Sequence, residues 1–353
     1  MKTLSSHIIP CLHRFIAAIT VCLMMAACSN SNNDDDLGVN DVRVAFSLSV
    51  ADATQTRTVN DGWDDYDPSI EGTGNENLIN SNDIMIKICD RSGNAIANVE
   101  DLHVTPVNDI NGTRYDITGT WKEAKAMLER ASKVMVIANC DAWDKNMEPL
   151  SELSFSIGNY NKKYIPMWGV APLPKLKLGS NNKLPESISM LRAMAKVSVR
   201  LRNDMTTTYG YSISNIKICR YNTAGYCLPN SYEDVMRTTD IKFANSLHAF
   251  SSMAESLDFS TTGVVYLPEY DNTSGEAKPS TIGVTLTRNG KPEGTYTLYF
   301  RNYDSDGAPT GIPYDIQRNH YYQYTIYKES DKIIVTLHVR KWNLREYGED
   351  IIM

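Results

Sequence analysis

Histidine is scarce in this sequence, and the signatures of common enzyme classes are missing. The six histidines among 353 residues are scattered without the spacing of metal ligands. The motifs H-E-x-x-H, G-x-S-x-G, the P-loop and the dinucleotide fingerprint are absent. His338 alternates with apolar neighbours, which favours a strand position over a role as a base. We therefore expect no enzyme activity, no cofactor and no metal.

Positive charge is also in short supply. The chain has 35 lysines and arginines against 42 acidic residues, a net charge of -7. Residues 1–27 contain Lys2 and Arg14 but no acidic residue, so their removal makes the chain more acidic still. Nucleic acids and anionic membranes bind clustered basic side chains, so neither is expected as a partner.

Long apolar runs are missing except near the N-terminus. Phe15–Ala27 is a single apolar stretch that follows basic residues, which is the layout of a signal peptide and is too short for a permanent membrane helix of about 20 residues. Leu23–Cys28 resembles the lipobox of bacterial lipoproteins, where a peptidase cuts before a cysteine that receives lipid. We predict a signal peptide over residues 1–27 and lipidation of Cys28. An ordinary secretory peptide with a chance cysteine is the alternative.

The residues behind Cys28 are polar and acidic. Residues 28–40 offer little to bury, so we predict a flexible tether there. The acidic run Asp34–Asp36 resembles the surface-export signal of Bacteroidetes lipoproteins. This resemblance implies a protein held by its lipid on the outside of the outer membrane.

Four cysteines remain in the predicted mature chain: Cys89, Cys140, Cys219 and Cys227. An even number in an oxidising compartment permits two disulfides, but the sequence does not choose among the three pairings. Free buried thiols fit the sequence equally well. None of the four forms a C-x-x-C pair, so a zinc site is not expected.

Short alternating segments, rich in tyrosine and threonine and bounded by turn residues, are typical of an all-β protein. We predict two β-sandwich domains, over residues 41–188 and 189–353, with short crossover helices laid over their sheets. The clearest predicted strands are Val42–Val50, Ile84–Cys89, Val134–Asn139, Lys196–Leu201, Ile213–Cys219, Val264–Leu267, Thr281–Thr287, Tyr296–Arg301, His320–Tyr327 and Ile333–Val339.

Three segments do not follow the strand pattern. Trp121–Ala131 and Asn230–Arg237 have helical spacing and are predicted to be short crossover helices. The proline-rich Ile165–Pro174 is predicted not to continue a central strand, because proline lacks the amide donor.

Five segments resemble the fimbrillin family of Bacteroidales, the pilus subunits of Porphyromonas and Bacteroides that include the minor-fimbrium subunits. They occur in the family's order along almost the whole mature chain: Val134–Asn139, Pro166–Gly169, Leu191–Val197, Tyr266–Tyr270, and Arg318–Tyr322 followed by Val339–Trp342. The resemblance implies two transthyretin-like β-sandwich domains. It also implies a surface fimbria assembled with other fimbrial subunits by strand exchange.

In such pili a trypsin-like protease cuts behind the first strand, which leaves, and a neighbour's C-terminal strand fills the groove. Here the exchangeable strand has its apolar side chains on alternate positions: Val42, Val44, Phe46, Leu48 and Val50. Arg57 is the candidate processing site; a solvated loop arginine is the alternative. If the chain is an anchor subunit, the first strand stays and no cut occurs.

The candidate donor segment lies within Trp342–Met353, with Ile351 and Ile352 as groove-filling residues. The alternative is that these residues finish the last strand of their own domain.

Two other function classes compete with a pilus subunit. A carbohydrate-binding surface lipoprotein would show several exposed, co-planar tryptophans on one face, drawn from Trp63, Trp121, Trp143, Trp168 and Trp342. A glycan hydrolase would need two facing carboxylates about 5 to 9.5 Å apart in a cleft. In a pilus subunit the tryptophans would be buried.

Overall fold

Alternation of apolar and polar residues produces strands through most of the described parts of the chain. The computed structural model describes residues 37–50, 74–109, 112–140, 149–157, 164–243, 247–259, 264–273 and 279–341. All ten strands that the sequence predicts are present, and the fold is almost entirely β.

The first half of the chain forms two five-stranded sheets. Its strands are β1 Val42–Ser49, β2 Ile84–Cys89, β3 Ala95–Asn98, β4 Glu100–Asp109, β5 Gly112–Trp121, β6 Lys133–Ala138, β7 Ser154–Ser156, β8 Met167–Pro172, β9 Asn181–Lys183, β10 Ile188–Ser189 and β11 Leu191–Arg192. One sheet has the order β10-β1-β5-β4, with β9 also on β1, and the other has the order β11-β8-β6-β2-β3.

The second half forms two four-stranded sheets. Its elements are β12 Ala195–Leu201, helix α1 Asn203–Thr207, β13 Tyr211–Asn222, β14 Ala224–Tyr226, β15 Met253–Phe259, β16 Val264–Leu267, β17 Thr281–Arg288, β18 Lys291–Tyr299, β19 Asn302–Tyr303, β20 Pro309–Thr310, β21 His320–Glu329 and β22 Lys332–Lys341. The sheet orders are β16-β12-β21-β22 and β15-β13-β17-β18, while β14 pairs with β7 and β19 with β20.

Two apolar cores lie between these sheets. The first joins the inward side chains of β1, β2, β6 and β8, and the second joins those of β12, β13, β17 and β21. The first core also takes in Cys227, Leu228, Tyr232 and Phe243 from later in the chain. The predicted domain boundary after residue 188 falls within β10, Ile188–Ser189, and stays a prediction.

The two predicted crossover helices are present but wrong in extent: each segment forms only short 3-10 turns, because each contains a residue in the left-handed region. Trp121 ends β5, and Glu123 (φ 52°) precedes two short 3-10 turns, Ala124–Ala126 and Leu128–Arg130. Ser231 (φ 59°) likewise limits the second segment to the 3-10 turn Tyr232–Asp234. The remaining 3-10 turns in the described ranges are Gly74–Asn77, Leu150–Glu152 and Thr238–Asp240.

The prediction for the proline-rich segment is also wrong. β8 lies inside its sheet, between β6 and β11. Pro166 precedes the strand and Pro172 is its last residue, so the residues between them keep their amide donors. In the parts of the chain that the structure describes, no helix combines the length and the hydrophobicity needed to cross a membrane.

Candidate functional site

The first strand lies inside its sheet rather than at the edge. β1 pairs antiparallel with β5 from Val42 opposite Trp121 to Ser49 opposite Arg114. On its other side it pairs in parallel with β9 and then with β10. There, the Leu184 amide donates to the Ala45 carbonyl at 2.8 Å, and the Met190 amide donates to the Ser49 carbonyl at 2.8 Å. The backbone of β1 is therefore held from both sides.

The inward face of β1 is completely covered. The side chains that alternate toward the core are at most 3% exposed: Val42, Val44, Phe46, Leu48 and Val50. Burying one such side chain is worth about 1.5–3 kcal/mol of transfer free energy, so the five together contribute on the order of 10 kcal/mol before entropy is counted. A strand that left this position would expose an apolar floor and two unpaired backbone edges.

A buried polar cluster holds the 3-10 turn Gly74–Asn77, which comes after β1 in the chain. Glu76 lies in the 3-10 turn Gly74–Asn77, and its carboxylate is 3.1 Å from the Lys196 Nζ of β12; both side chains are 3% exposed. The Tyr266 hydroxyl donates to Glu76 Oε1 at 2.6 Å. Arg192 Nε donates to the Glu76 carbonyl at 3.0 Å, and its guanidinium also reaches Asn77.

Electrostatics in this cluster favour the charged forms. Burial alone would raise the pKa of Glu76, but the charge of Lys196, the Tyr266 hydroxyl and the charge of Arg192 together hold that pKa below its usual value. Burial lowers the pKa of Arg192 to about 10, against the opposing charge of Glu76, so the guanidinium remains charged at neutral pH. The cluster thus fixes the turn Gly74–Asn77 to the start of the second half.

A second buried ion pair holds the chain just before the last two strands. Arg318 Nη2 is 2.7 Å from Glu269 Oε2, and both side chains are 1% exposed. Arg318 also donates to the Cys227 carbonyl at 3.0 Å and to the Tyr226 carbonyl at 3.1 Å. β21 begins two residues later, at His320.

The last described strand has a different setting from the first. β22 pairs antiparallel with β21 along its whole length and, among the described strands, with no other. Its inward side chains Val335, Leu337 and Val339 belong to the second core. His338 lies on this strand opposite Gln323, so the predicted strand position of this histidine is confirmed.

Several predicted site residues lie outside the described residues. These are Cys28, Arg57, Trp342, Ile351 and Ile352, together with Trp63 and Trp143. The five apolar positions of β1 are described and lie together in the first core. Sequence reasoning missed β5, β9 and β10 as the strands that flank β1, and it missed the cluster around Glu76.

The described tryptophans do not form a sugar-binding platform. Trp121 is 2% exposed and Trp168 is 1% exposed, so both fill the first core. Within the same described ranges, no group of three histidine, cysteine or acidic side chains is arranged to hold a metal ion.

A family model decides the relationship to known proteins. Residues 133–348, more than half of the chain, match the model described as fimbrillin-A associated anchor proteins Mfa1 and Mfa2. The chain belongs to this family of fimbrial anchor proteins. The predicted resemblance to fimbrillins is therefore confirmed, and this member of the family is a structural protein of cell-surface fimbriae. No curated protein sequence matches it.

Solved structures from the Bacteroidales are similar to this fimbrial family member. A cell adhesion protein from Parabacteroides distasonis is 13% identical, with 87% of this chain and 99% of that one covered and a TM-score of 0.52. That similarity shows the fold. The tip fimbrial protein Mfa3 from Porphyromonas gingivalis is 14% identical, with 86% and 100% covered and a TM-score of 0.49. A fimbrillin from the same species is 14% identical, with 88% and 99% covered and a TM-score of 0.46.

Proposed function

We propose that this protein is exported as a lipoprotein, carries its lipid on Cys28 and joins a surface fimbria through exchange of its first strand. The observation that carries the proposal is the position of β1. It is the first of the described strands, it pairs on both sides, and its apolar face is fully buried. Its departure would leave a slot that only another strand can satisfy, because backbone groups and apolar floor would be exposed together.

The proposed cut lies after Arg57, behind β1. Arg57 stands in a polar segment, Thr54–Thr58, of the kind that proteases cleave. The buried pair of Glu76 and Lys196 supports this assignment, because it holds the chain downstream of the cut. Only the residues before the cut would then be released. The incoming strand would be a neighbour's C-terminal segment, with Trp342, Ile351 and Ile352 as its apolar side chains.

The test is limited trypsin digestion of the full lipidated precursor. We expect a new N-terminus at Thr58 and SDS-resistant ladders of cleaved chains on a gel. Arg57→Ala should abolish both. Arg91→Ala, in an exposed turn between β2 and β3, is the matched control and should leave both unchanged. Ladders that persist in Arg57→Ala without another cut before residue 60 would contradict the site.

An anchor role is the second candidate, and the matched family model of anchor proteins favours it. In that case β1 stays in its sheet and the protein ends a filament of other subunits. The same digestion separates the two roles. A chain that remains uncut, but caps ladders formed by a second fimbrial subunit, acts as the anchor.

Lipidation needs its own experiment. Cells fed a labelled fatty acid should incorporate the label into the wild-type protein and not into Cys28→Ser. The variant should also leave the membrane fraction, because the acyl chains supply the anchorage. Cys219→Ser is the control and should keep both the label and the membrane location. Equal labelling of wild type and Cys28→Ser would refute lipidation at this residue.

A further inference from the structure

Two of the four cysteines in the described residues meet in the first core. Cys140 follows β6 and is 1% exposed, and Cys227 follows β14 and is fully buried. Their side chains are hydrogen-bonded to each other. The four described cysteines, Cys89, Cys140, Cys219 and Cys227, are thiols and not disulfides in the structure.

The backbone holds both members of this pair in place. Asn139, directly before Cys140, donates from its side chain to the Leu78 and Ile165 carbonyls, both at 2.8 Å. The Cys227 amide donates to the Leu153 carbonyl at 2.7 Å, and its carbonyl accepts from Arg318 at 3.0 Å. These buried hydrogen bonds hold the backbone at both ends of the pair in place.

The other two cysteines have different surroundings. Cys89 ends β2 opposite Lys133 and Ala95. Cys219 lies in the middle of β13, between Ser256 and Thr281 in the second half of the chain, and is only partly buried. Each of the three pairings that the sequence leaves open contains two disulfides. The structure supports only one such bond, between Cys140 and Cys227.

We infer that Cys140 and Cys227 form a disulfide in the exported protein. The inference rests on the proposed function for its oxidising compartment alone; the pairing itself rests on the contact described above. The bond would join the end of β6 to the segment after β14 and close a loop of roughly 90 residues, a length at which a cross-link strongly restricts the unfolded chain.

The chemistry requires an electron acceptor. Two thiols lose two protons and two electrons as the sulfur–sulfur bond forms, and the disulfide of a thiol–disulfide oxidoreductase, or oxidised glutathione in the test tube, is reduced to two thiols. Burial, and next the contact with Cys227, raise the pKa of the Cys140 thiol well above its usual value. The attacking thiolate is therefore rare in the folded protein, so the bond forms while the chain is folding.

The experiment refolds the purified mature chain in a mixture of reduced and oxidised glutathione. Remaining thiols are alkylated in denaturant, and the protein is digested and mapped by mass spectrometry without reduction. We expect one linked peptide pair, containing Cys140 and Cys227, with Cys89 and Cys219 alkylated. Alkylation of all four cysteines, or a bond between any other two, overturns the pairing.

Paired variants give an independent readout. Reducing agent should lower the melting temperature of the oxidised wild type by several degrees, roughly 5 °C or more. It should not change that of the double variant Cys140→Ala/Cys227→Ala. The matched double variant Cys89→Ala/Cys219→Ala should keep the full sensitivity to reductant. Loss of that sensitivity in the second variant, or its survival in the first, contradicts the proposed bond.

The same mapping on intact bacteria separates this inference from the proposed function. A linked pair in cell-surface material supports the bond in its natural compartment. If the protein links these cysteines when refolded but carries them as thiols on cells, the disulfide does not form in the exported protein and the inference is wrong. That result would not bear on strand exchange, which the trypsin experiment tests separately.

Discussion

The first and last described strands, β1 and β22, both alternate apolar and polar residues, yet they occupy opposite kinds of place. β1 has β5 on one side and β9 and β10 on the other, whereas β22 pairs with β21 alone among the described strands. The inward residues of β1 are at most 3% exposed, and those of β22 are 4 to 6% exposed. Alternation therefore shows which face of a strand is buried, but not how many neighbours its backbone has.

The difference has a consequence for exchange. Removal of an edge strand shortens a sheet, while removal of an inner strand opens a slot with two walls. A slot recognises an incoming strand through two hydrogen-bonded ladders and an apolar floor at once, so β1 is the better site for stable assembly. Each strand also adjoins a buried ion pair: Glu76 and Lys196 follow β1, and Arg318 with Glu269 precedes β21.

The largest effect is expected from breaking the pair that follows β1. Glu76→Gln leaves the charges of Lys196 and Arg192 buried without a counter-charge, so the free energy of unfolding at pH 7 should fall by about 3–5 kcal/mol. Denaturant titration of the two proteins measures this difference in unfolding free energy. The control is Glu186→Gln, whose exposed bond to Arg237 should be worth less than about 1 kcal/mol. Equal losses in the two variants would show that the cluster does not hold this part of the chain.

One chemical change made in both strands compares the strands themselves. Leu48 of β1 and Leu337 of β22 are both buried, at 0% and 5% exposed. Leucine-to-alanine changes in cores cost about 2–5 kcal/mol. We expect Leu48→Ala near the top of this range, because the strand is fixed on both sides and its cavity cannot collapse. Leu337→Ala should lie near the bottom. The reverse order in urea unfolding would contradict the comparison.

The pH dependence of stability should also differ between wild type and Glu76→Gln. Because the pKa of Glu76 is lower in the folded state, its stabilising contribution is complete above the unfolded pKa near 4.5 and is lost as the pH falls through the folded value. Wild type should therefore lose more stability than Glu76→Gln between pH 6 and pH 3. Parallel stability curves for the two proteins would refute a depressed pKa.

The smallest effect is expected at the solvent-exposed start of β22. Lys332 at the start of β22 is 3.0 Å from Asp306, and both side chains are well exposed. Such surface pairs contribute about 0.2–1 kcal/mol, so Lys332→Ala should change the unfolding free energy within this range. The melting temperature should move by a few degrees at most. A loss of unfolding free energy comparable with that of Glu76→Gln would contradict this ranking of the two ion pairs.

The sequence predicted strands well where apolar residues alternate, as in β1, or form a nearly continuous run, as in β2. It missed β5, the main partner of β1, because glycine and polar residues interrupt the apolar positions along this strand. Gly119 shows the physical reason: a Cβ atom there would lie 2.6 Å from Val99 Cγ1, so this position of the strand must be glycine. The signal that remained was the alternation of Tyr115, Ile117 and Trp121.

The polar cluster could not be predicted either. Glu76 and Lys196 are 120 residues apart in the sequence. Charged residues are normally placed at the surface by sequence reasoning, and only the fold shows that these two meet inside. The apolar face of β1 could be predicted, because it depends only on residues two positions apart in the sequence.

The two walls around β1 run in opposite senses relative to it: β5 is antiparallel, and β9 and β10 are parallel. A segment inserted in the reverse direction would be parallel to β5 and antiparallel to β9 and β10, the opposite of β1 on both sides. The proposed slot therefore favours a tail that runs in the same direction as β1. Subunits joined by the proposed exchange would contact each other head to tail, because the donated tail and the slot are different surfaces. A filament built this way would have two unlike ends, and only the end with an open slot could receive the tail of the next subunit.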